Sequence, residues 1–300
     1  MGSSMGATSD SIDIEELRDA DITHEVHATS AEEMSELGDE SVHLVVTSPP
    51  YWDIKDYGTD DQIGYDESLD AYLDRLNAVW KECYRVLKPG CRMVVNIGDQ
   101  YHSSTDGKPY HITPLNTHVV NGVLESTRHN MIFLGNIIWQ KVSNTETSGG
   151  ASVMGSYGRP RNGYVSYDYE YISIFKKPGS TPSVPDEIKN TDEIEKEEWK
   201  QLFSGHWNFP GDRQKDHPAP FPAELPRRIL RMFSFSGDTV LDPFLGRGTT
   251  MAVAEAMDRS SIGYETGFDA PSGKDWQQVI QETLDVNKAE GEKNRYQFNW

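Results

Sequence analysis

TVLDPFLGRGTTMAVAEAM, from Thr239 to Met257, decides the fold. Thr239, Val240 and Leu241 read as a short apolar strand, Asp242 to Thr250 as a Gly-rich turn, and MAVAEAM as the helix that follows. Strand, Gly-rich turn and helix in that order are a nucleotide-binding geometry, because the turn brings backbone close to a ligand at the strand's carboxyl end. Gly246 and Gly248 let the chain turn sharply without Cβ clashes, and Thr249 and Thr250 are placed to cap the helix. The third Gly of the dinucleotide fingerprint is missing, and so is the Gly-Lys-Ser/Thr of a P-loop. An ordinary tight turn is the plain alternative. Further on, Ser261 to Tyr264 read as the next strand, and Glu265 closes it about 20 residues past the turn, where such folds place a carboxylate for ribose hydroxyls.

A second signal lies far upstream, in TSPPYW, Thr47 to Trp52. The run Val42, His43, Leu44, Val45, Val46 reads as a buried strand, so Ser48, Pro49, Pro50 and Tyr51 stand at its carboxyl end, where open α/β sheets bind ligands. Two prolines fix φ and remove amide donors, which leaves carbonyls that only accept hydrogen bonds. Fixed acceptors beside a Tyr ring suit a flat substrate that carries an amine. Read alone, S-P-P-Y is equally a proline-rich turn after a strand.

Between these signals, ESLDAYLDRLNAVWKECYRVLKPG places Leu69, Leu73, Leu76, Trp80, Cys83 and Leu87 on one helical face, closed by Lys88-Pro89-Gly90. Arg92 to Ile97 reads as a strand ending at Gly98-Asp99, and two more strands are expected around Leu134 to Trp139 and Tyr169 to Phe175. Alternating strands and helices imply an α/β fold with a mostly parallel sheet covered on both faces. Residues 1–20 are polar and acidic and are expected to form a flexible terminus, with a Gly/Ser start that resembles an expression scar. Residues 21–178 are expected to hold the catalytic part of the domain. Residues 179–216 read as a polar surface excursion that could serve target recognition, and residues 217–300 as the cofactor-binding part.

With 300 residues and 36% hydrophobic content, the chain can bury a sizeable core. No apolar run approaches the roughly eighteen residues of a membrane span, and no secretory leader is visible, so a cytoplasmic protein is expected. Cys83 and Cys91 lack metal-ligand spacing and the nine His are scattered, so neither a metal site nor a disulfide framework is expected. The formal charge of −20, from 48 acidic and 28 basic residues, resembles that of proteins from salt-loving organisms.

Taken together these segments resemble the beta group of DNA amino-methyltransferases, which methylate exocyclic base amines from S-adenosylmethionine. TSPPYW and its continuation DIKDYG resemble the group's catalytic loop, and HPAPFPAELPRRIL, His217 to Leu230, resembles the segment before its cofactor strand. LDPFLGRGTT resembles the cofactor loop and IGYE, Ile262 to Glu265, the ribose-binding strand end. Catalytic loop before cofactor loop is the circularly permuted order of this group. The resemblance implies a Rossmann-like methyltransferase fold with S-adenosyl-L-methionine as cofactor. Asp242, Pro243, Phe244, Gly246, Gly248, Thr249, Thr250 and Glu265 would contact that cofactor, joined by Thr29 and His217. Two positions depart from the group's pattern: Arg247 stands between the glycines where Ser is frequent, and His27-Ala28-Thr29-Ser30 replaces a Gly-Asp-Ala-like strand end.

The chemistry fits the residues independently. An exocyclic amine is a poor nucleophile because its lone pair is delocalised into the ring, so orientation and charge placement must do most of the work. Ser48 and the Pro49 carbonyl could accept the amine hydrogens while Tyr51 stacks on a base flipped out of the duplex. Ser before the two prolines resembles the cytosine-N4 subgroup, with adenine-N6 as the alternative; RNA or a small molecule is the further alternative. Duplex DNA is the expected partner, joined by a cognate restriction enzyme. Arg159 and Arg161, set among Tyr157 and Tyr164, are expected to face DNA, as is Trp52. Arg213, Lys215, Arg227, Arg228 and Arg231 form a second candidate edge, with a solvated helix face as the alternative. Asp99 is either a ligand-facing carboxylate or a helix cap.

Overall fold

A computed structural model describes residues 22–54, 62–104, 109–141, 158–165, 168–211, 222–266, 276–284 and 295–299. In chain order the elements are β1 (Thr23–His27), β2 (Val42–Thr47), α1 (Leu69–Val86), β3 (Leu87–Ile97), β4 (Gln100–His102), β5 (His111–Thr113), α2 (Leu115–Ser126), β6 (Ile132–Gln140) and β7 (Tyr169–Lys176). There follow α3 (Asp186–Thr191), α4 (Lys196–Leu202), β8 (His206–Asn208), α5 (Glu224–Phe233), β9 (Thr239–Asp242), α6 (Thr249–Ala256), β10 (Ser260–Tyr264), α7 (Trp276–Leu284) and β11 (Arg295–Asn299). The main sheet runs β11-β1-β10-β9-β2-β3-β7-β6-β8, while β4 and β5 pair as a separate hairpin.

Side-chain alternation on the central strands builds the layers. Val45 of β2 and Met93, Val95 and Ile97 of β3 join Tyr72, Leu76, Trp80 and Cys83 of α1 and Leu115 and Val119 of α2 in one core. Leu44, Val46 and Val94 point the other way, onto Leu225, Ile229 and Leu230 of α5 and Val253 and Ala254 of α6. Period two on the strands thus feeds both faces, and each fully buried aliphatic side chain contributes about 1.5–3 kcal/mol. A third cluster joins Val26, Leu245 and Met251 to Val279, Ile280 and Leu284 of α7.

The α1 helix starts where Ser68 accepts a hydrogen bond from the Ala71 amide at 3.2 Å. Its buried stripe is Tyr72, Leu76, Val79, Trp80, Cys83 and Val86, with Leu69 and Leu73 only partly covered. The strand that follows begins at Leu87 rather than Arg92, because Leu87 pairs with Val42 before an irregularity shifts the register to Leu44 and Arg92.

The sheet is mostly parallel but mixed. β7 runs antiparallel to β3 and β6 antiparallel to β7, whereas the pairs from β11 through β3 are all parallel. The polar stretch after Gly179 holds α3, α4 and β8, and β8 extends the sheet parallel to β6. Leu202, Trp207 and Phe209 from this stretch are buried, so it supplies core as well as surface. Its anchor is Asp192, whose carboxylate takes the Ser236 amide at 2.5 Å and pairs with the buried Arg259 at 3.0 Å. Residues 1–20 lie outside the described residues.

Candidate active site

Because β1, β10, β9, β2 and β3 are parallel, their carboxyl ends share one edge of the sheet. The chain leaves β2 toward β3 on one side and β9 toward β10 on the other, so the crevice between β2 and β9 is a topological switch point. Thr47 ends β2 and Asp242 ends β9, 195 residues apart in sequence, and the Thr47 hydroxyl donates to Asp242 Oδ1 at 2.8 Å. Thr250 Oγ1 donates to Oδ2 at 2.6 Å, and the Phe244 amide donates to Oδ1 at 3.1 Å. This carboxylate ties the SPPY strand end to both sides of the Gly-rich turn. Asp242 is 1% exposed, and burial pushes its carboxyl up to about 7 in spite of the three donors.

Gly246 and Gly248 take φ of +55° and +86°, a region costly for any residue with a Cβ. Gly248 occupies the N-cap of α6, which no side chain caps; the Thr250 hydroxyl is spent on Asp242, so the expected capping by Thr249 and Thr250 does not occur. The Gly246 amide donates to Glu265 Oε2 at 2.8 Å, and the Thr266 amide to Oε1 at 3.1 Å. Glu265 therefore stands beside the turn at the end of β10. Pro243 is buried, and Phe244 meets Trp80 of α1 edge-on at 6.2 Å between ring centroids. Thr29 is exposed just beyond β1 on the same sheet edge. Two left-handed glycines, an uncapped helix N-terminus and an adjacent carboxylate can hold a ligand with a polar tail and vicinal hydroxyls.

In the catalytic loop Ser48 is half-buried and Pro49 buried. Tyr72 of α1 donates its hydroxyl to the Pro50 carbonyl at 2.6 Å, so of the two proline carbonyls Pro50's is already engaged. Trp52 follows with φ of +41°, its indole N–H donating to the Glu67 carbonyl at 3.0 Å. Gly64 permits this loop to close: a Cβ there would stand 2.9 Å from the Tyr72 ring and 3.0 Å from Trp52 Cα. Arg75 holds the returning segment through Glu32, Glu67 and the Gln62 carbonyl. The Tyr51 phenol is raised well above its ordinary value, chiefly by burial and then by the charge of Glu170.

Sequence reasoning did not single out Thr47, Tyr72 or Glu170 as site residues. Glu170 carried a signal, since it stands at a buried position within the apolar alternation YEYISIF. Asp99 accepts from the Asn116 amide at 3.0 Å, at the start of α2, which is the helix-cap arrangement.

Arg159 and Arg161 are exposed around the short turn Pro160–Asn162, and Tyr164 stacks on Tyr110 at 4.5 Å. Tyr157, Arg213, Lys215 and His217 lie outside the described residues, as does the catalytic-loop continuation beyond Ile54. The remaining arginines of the second candidate edge are engaged within the chain. Arg227 and Arg228 both bind Glu224, whose carboxyl they hold down to about 2, with Arg227 contributing most. Arg228 also lies over the Phe209 ring at 4.7 Å, and Arg231 donates to the Asp192 and Glu193 carbonyls at 2.6 Å each. Among the described residues no group of His, Cys, Asp and Glu could hold a metal ion, and no helix is long and apolar enough to cross a membrane.

The family model described as DNA methylase, of the N6/N4 methyltransferases, matches residues 42–269, from the start of β2 to just past Glu265. The chain belongs to this DNA methylase family. It is 36% identical to the type II methyltransferase M.MjaI of Methanocaldococcus jannaschii, over 89% of this chain and 94% of that protein. The type II methyltransferase M.MthZI of Methanothermobacter thermautotrophicus is 35% identical over 81% of this chain and 73% of its own length. Among solved structures, the Thermus thermophilus protein TTHA0409 in complex with S-adenosyl-L-methionine superposes with a TM-score of 0.70 at 31% identity, covering 92% of this chain and 99% of that one. The cytosine-N4-specific PvuII DNA methyltransferase shares the fold, with a TM-score of 0.60 at 20% identity. The chain is thus a DNA methyltransferase with the circularly permuted, Rossmann-like fold that its motif order implied.

Proposed function

We propose that this methylase transfers a methyl group from S-adenosylmethionine to the exocyclic N4 amine of cytosine in duplex DNA, with the target base flipped out of the helix. The observation that carries this reading is the Thr47–Asp242–Thr250 bridge. It holds Ser48, at the end of β2, beside the Gly-rich turn after β9. The turn fits an adenosyl ligand: its glycines allow close backbone approach, the uncapped start of α6 offers amides, and Glu265 stands where ribose hydroxyls would arrive. The complex of TTHA0409 with S-adenosyl-L-methionine supports the same ligand here. On this reading Asp242 serves the cofactor site by bracing it, while Pro243, Phe244, Gly246, Gly248, Thr249 and Thr250 shape its wall, with Thr29 and His217 as further cofactor-binding residues.

When bound, S-adenosylmethionine supplies a methyl group already activated by its sulfonium. The protein's own part is orientation. Ser48 Oγ and the Pro49 carbonyl each accept one amine hydrogen, which turns the nitrogen toward tetrahedral geometry and aims its lone pair. Tyr51 stacks on the base, and with Trp52 it offsets the few kcal/mol, roughly, that flipping costs. Arg159, Arg161 and Tyr157 meet the duplex. Ser rather than Asp before the two prolines favours cytosine. A companion restriction enzyme is the partner that type II relatives suggest, and the charge of −20 suits activity at high salt.

Tritium transfer from labelled S-adenosylmethionine to duplex DNA tests the reading, with Ser48→Ala as the control. Label in duplex DNA that the variant fails to incorporate supports it; label in RNA or a small molecule in preference to DNA contradicts it.

A further inference from the structure

Methyl transfer as described above makes no use of Glu170, a carboxylate only 7% exposed at the edge where the catalytic loop lies. Glu170 stands at the start of β7, beyond the pairing of Tyr171 with Ile97, the last residue of β3. Asn96 Nδ2 donates to its Oε2 at 2.9 Å, and the Lys141 ammonium binds its Oε1. A carboxylate has about four lone-pair sites, so two donors leave capacity for a third. Gly98 shows what stands nearest. A Cβ on Gly98 would lie 3.1 Å from Glu170 Cγ and 3.4 Å from Tyr51 Cε1, so the bare backbone there lets the Tyr51 ring and the Glu170 side chain close on one point. The Ser48 side chain and the Gly98 backbone also hydrogen-bond the same phenol.

We propose that Glu170 sets the direction of a hydrogen-bond chain, Ser48 to Tyr51 to Glu170, which leaves Ser48 Oγ only lone pairs to offer the exocyclic amine. The inference rests on the reading that the substrate is such an amine. Paired with Lys141, Glu170 can only accept, so the Tyr51 hydroxyl donates to it. The phenol oxygen then accepts from Ser48 Oγ–H. A serine hydroxyl is ordinarily both donor and acceptor, and its proton pointed at the amine would oppose binding. With that proton committed to Tyr51, Ser48 acts as an acceptor without carrying a charge. Glu170 is on this account a positioning residue that acts through Tyr51. Asn96 and Lys141 hold it in place.

A double-mutant cycle with Glu170→Gln and Tyr51→Phe tests the chain, using the full-length enzyme and duplex DNA. Gln keeps the shape but can donate, which permits the reverse direction; Phe keeps the ring for stacking and removes the hydroxyl. Each single variant should lower kcat by about tenfold or more, with the dissociation constant for S-adenosylmethionine unchanged. In the Tyr51→Phe background the Glu170→Gln substitution should cost less than about twofold, because the chain is already broken. Losses that multiply overturn the proposal while leaving amine methylation intact, and so does a Tyr51→Phe variant with wild-type kcat, a measurement that needs no stable Glu170 variant. Wild-type methylation at a ring carbon instead of an amine overturns the functional reading and the proposal together.

Discussion

Replacing Asp242 by Asn should change how stability depends on pH, and the sign follows from the burial of this carboxylate. Its folded value of about 7 lies some three units above the ordinary 3.8, because desolvation outweighs the hydrogen bonds from Thr250, Thr47 and Phe244. The native state therefore holds a proton that the unfolded state has lost, so the group's contribution is fully present below pH 3.8 and declines as pH rises to about 7. At about 1.4 kcal/mol per unit, the whole span is worth about 4 kcal/mol. Asn has nearly the same shape, keeps one acceptor for Thr47 and Phe244, and does not titrate. The difference in unfolding free energy between wild type and Asp242→Asn should then shift by about 2 kcal/mol from about pH 5.5 to 8, wild type becoming relatively weaker. Starting there stays above the isoelectric point of about 4.8, where solubility is poorest. Subtracting the variant removes the opposite trend of carboxyls held low, such as Glu224, Glu32 and Glu82. Urea unfolding of both proteins at several pH values measures the difference. A gap that stays constant across that range would refute the claim that Asp242 is buried at a net electrostatic cost.

Three further outcomes follow from the site. Ser48→Ala should lower methyl transfer by on the order of 10²-fold while calorimetry finds the affinity for S-adenosylmethionine unchanged. Tyr72→Phe removes the hydroxyl on the Pro50 carbonyl, and should cost about 1 kcal/mol in denaturant unfolding together with a loss of kcat. Replacing both Arg159 and Arg161 by Ala should abolish site selectivity, and should flatten the dependence of log Kd for DNA on log salt by about two if each meets a phosphate; an unchanged slope and unchanged selectivity would remove this turn from the DNA interface.

The parts of the fold visible in the sequence are those whose signal is local. Val42 to Thr47 and Thr239 to Asp242 are short apolar runs followed by turn residues, and α1 shows a helical stripe over five turns, so strand, turn and helix could be placed on pattern alone. The start of β3 was less legible, because Lys88-Pro89-Gly90 reads as a stop signal yet lies inside the strand, in the irregular step between Leu87 and Arg92. Direction is not written in alternation either, and the antiparallel β6 and β7 look in sequence like any other buried strands. β8 is three residues long within a polar stretch, and only Trp207, buried between two exposed neighbours, links it to the core. Of the site, the loop residues were legible as motifs, while the contacts that join them were not. Thr47 meets Asp242 only because parallel pairing brings two distant strand ends together, and no local pattern encodes that. Arg227, Arg228 and Arg231 show the converse: a basic cluster in sequence becomes a set of internal ion pairs once Glu224 and Glu198 are in place.

The central claim is that Ser48 presents an acceptor to the N4 amine of cytosine. DNA from a host without methylation, incubated with the enzyme and S-adenosylmethionine and then digested to nucleosides, tests it directly by mass spectrometry. The account predicts N4-methylcytosine, absent when Ser48→Ala replaces the wild type. N6-methyladenine as the sole product would contradict the cytosine assignment, and 5-methylcytosine would contradict the amine mechanism itself.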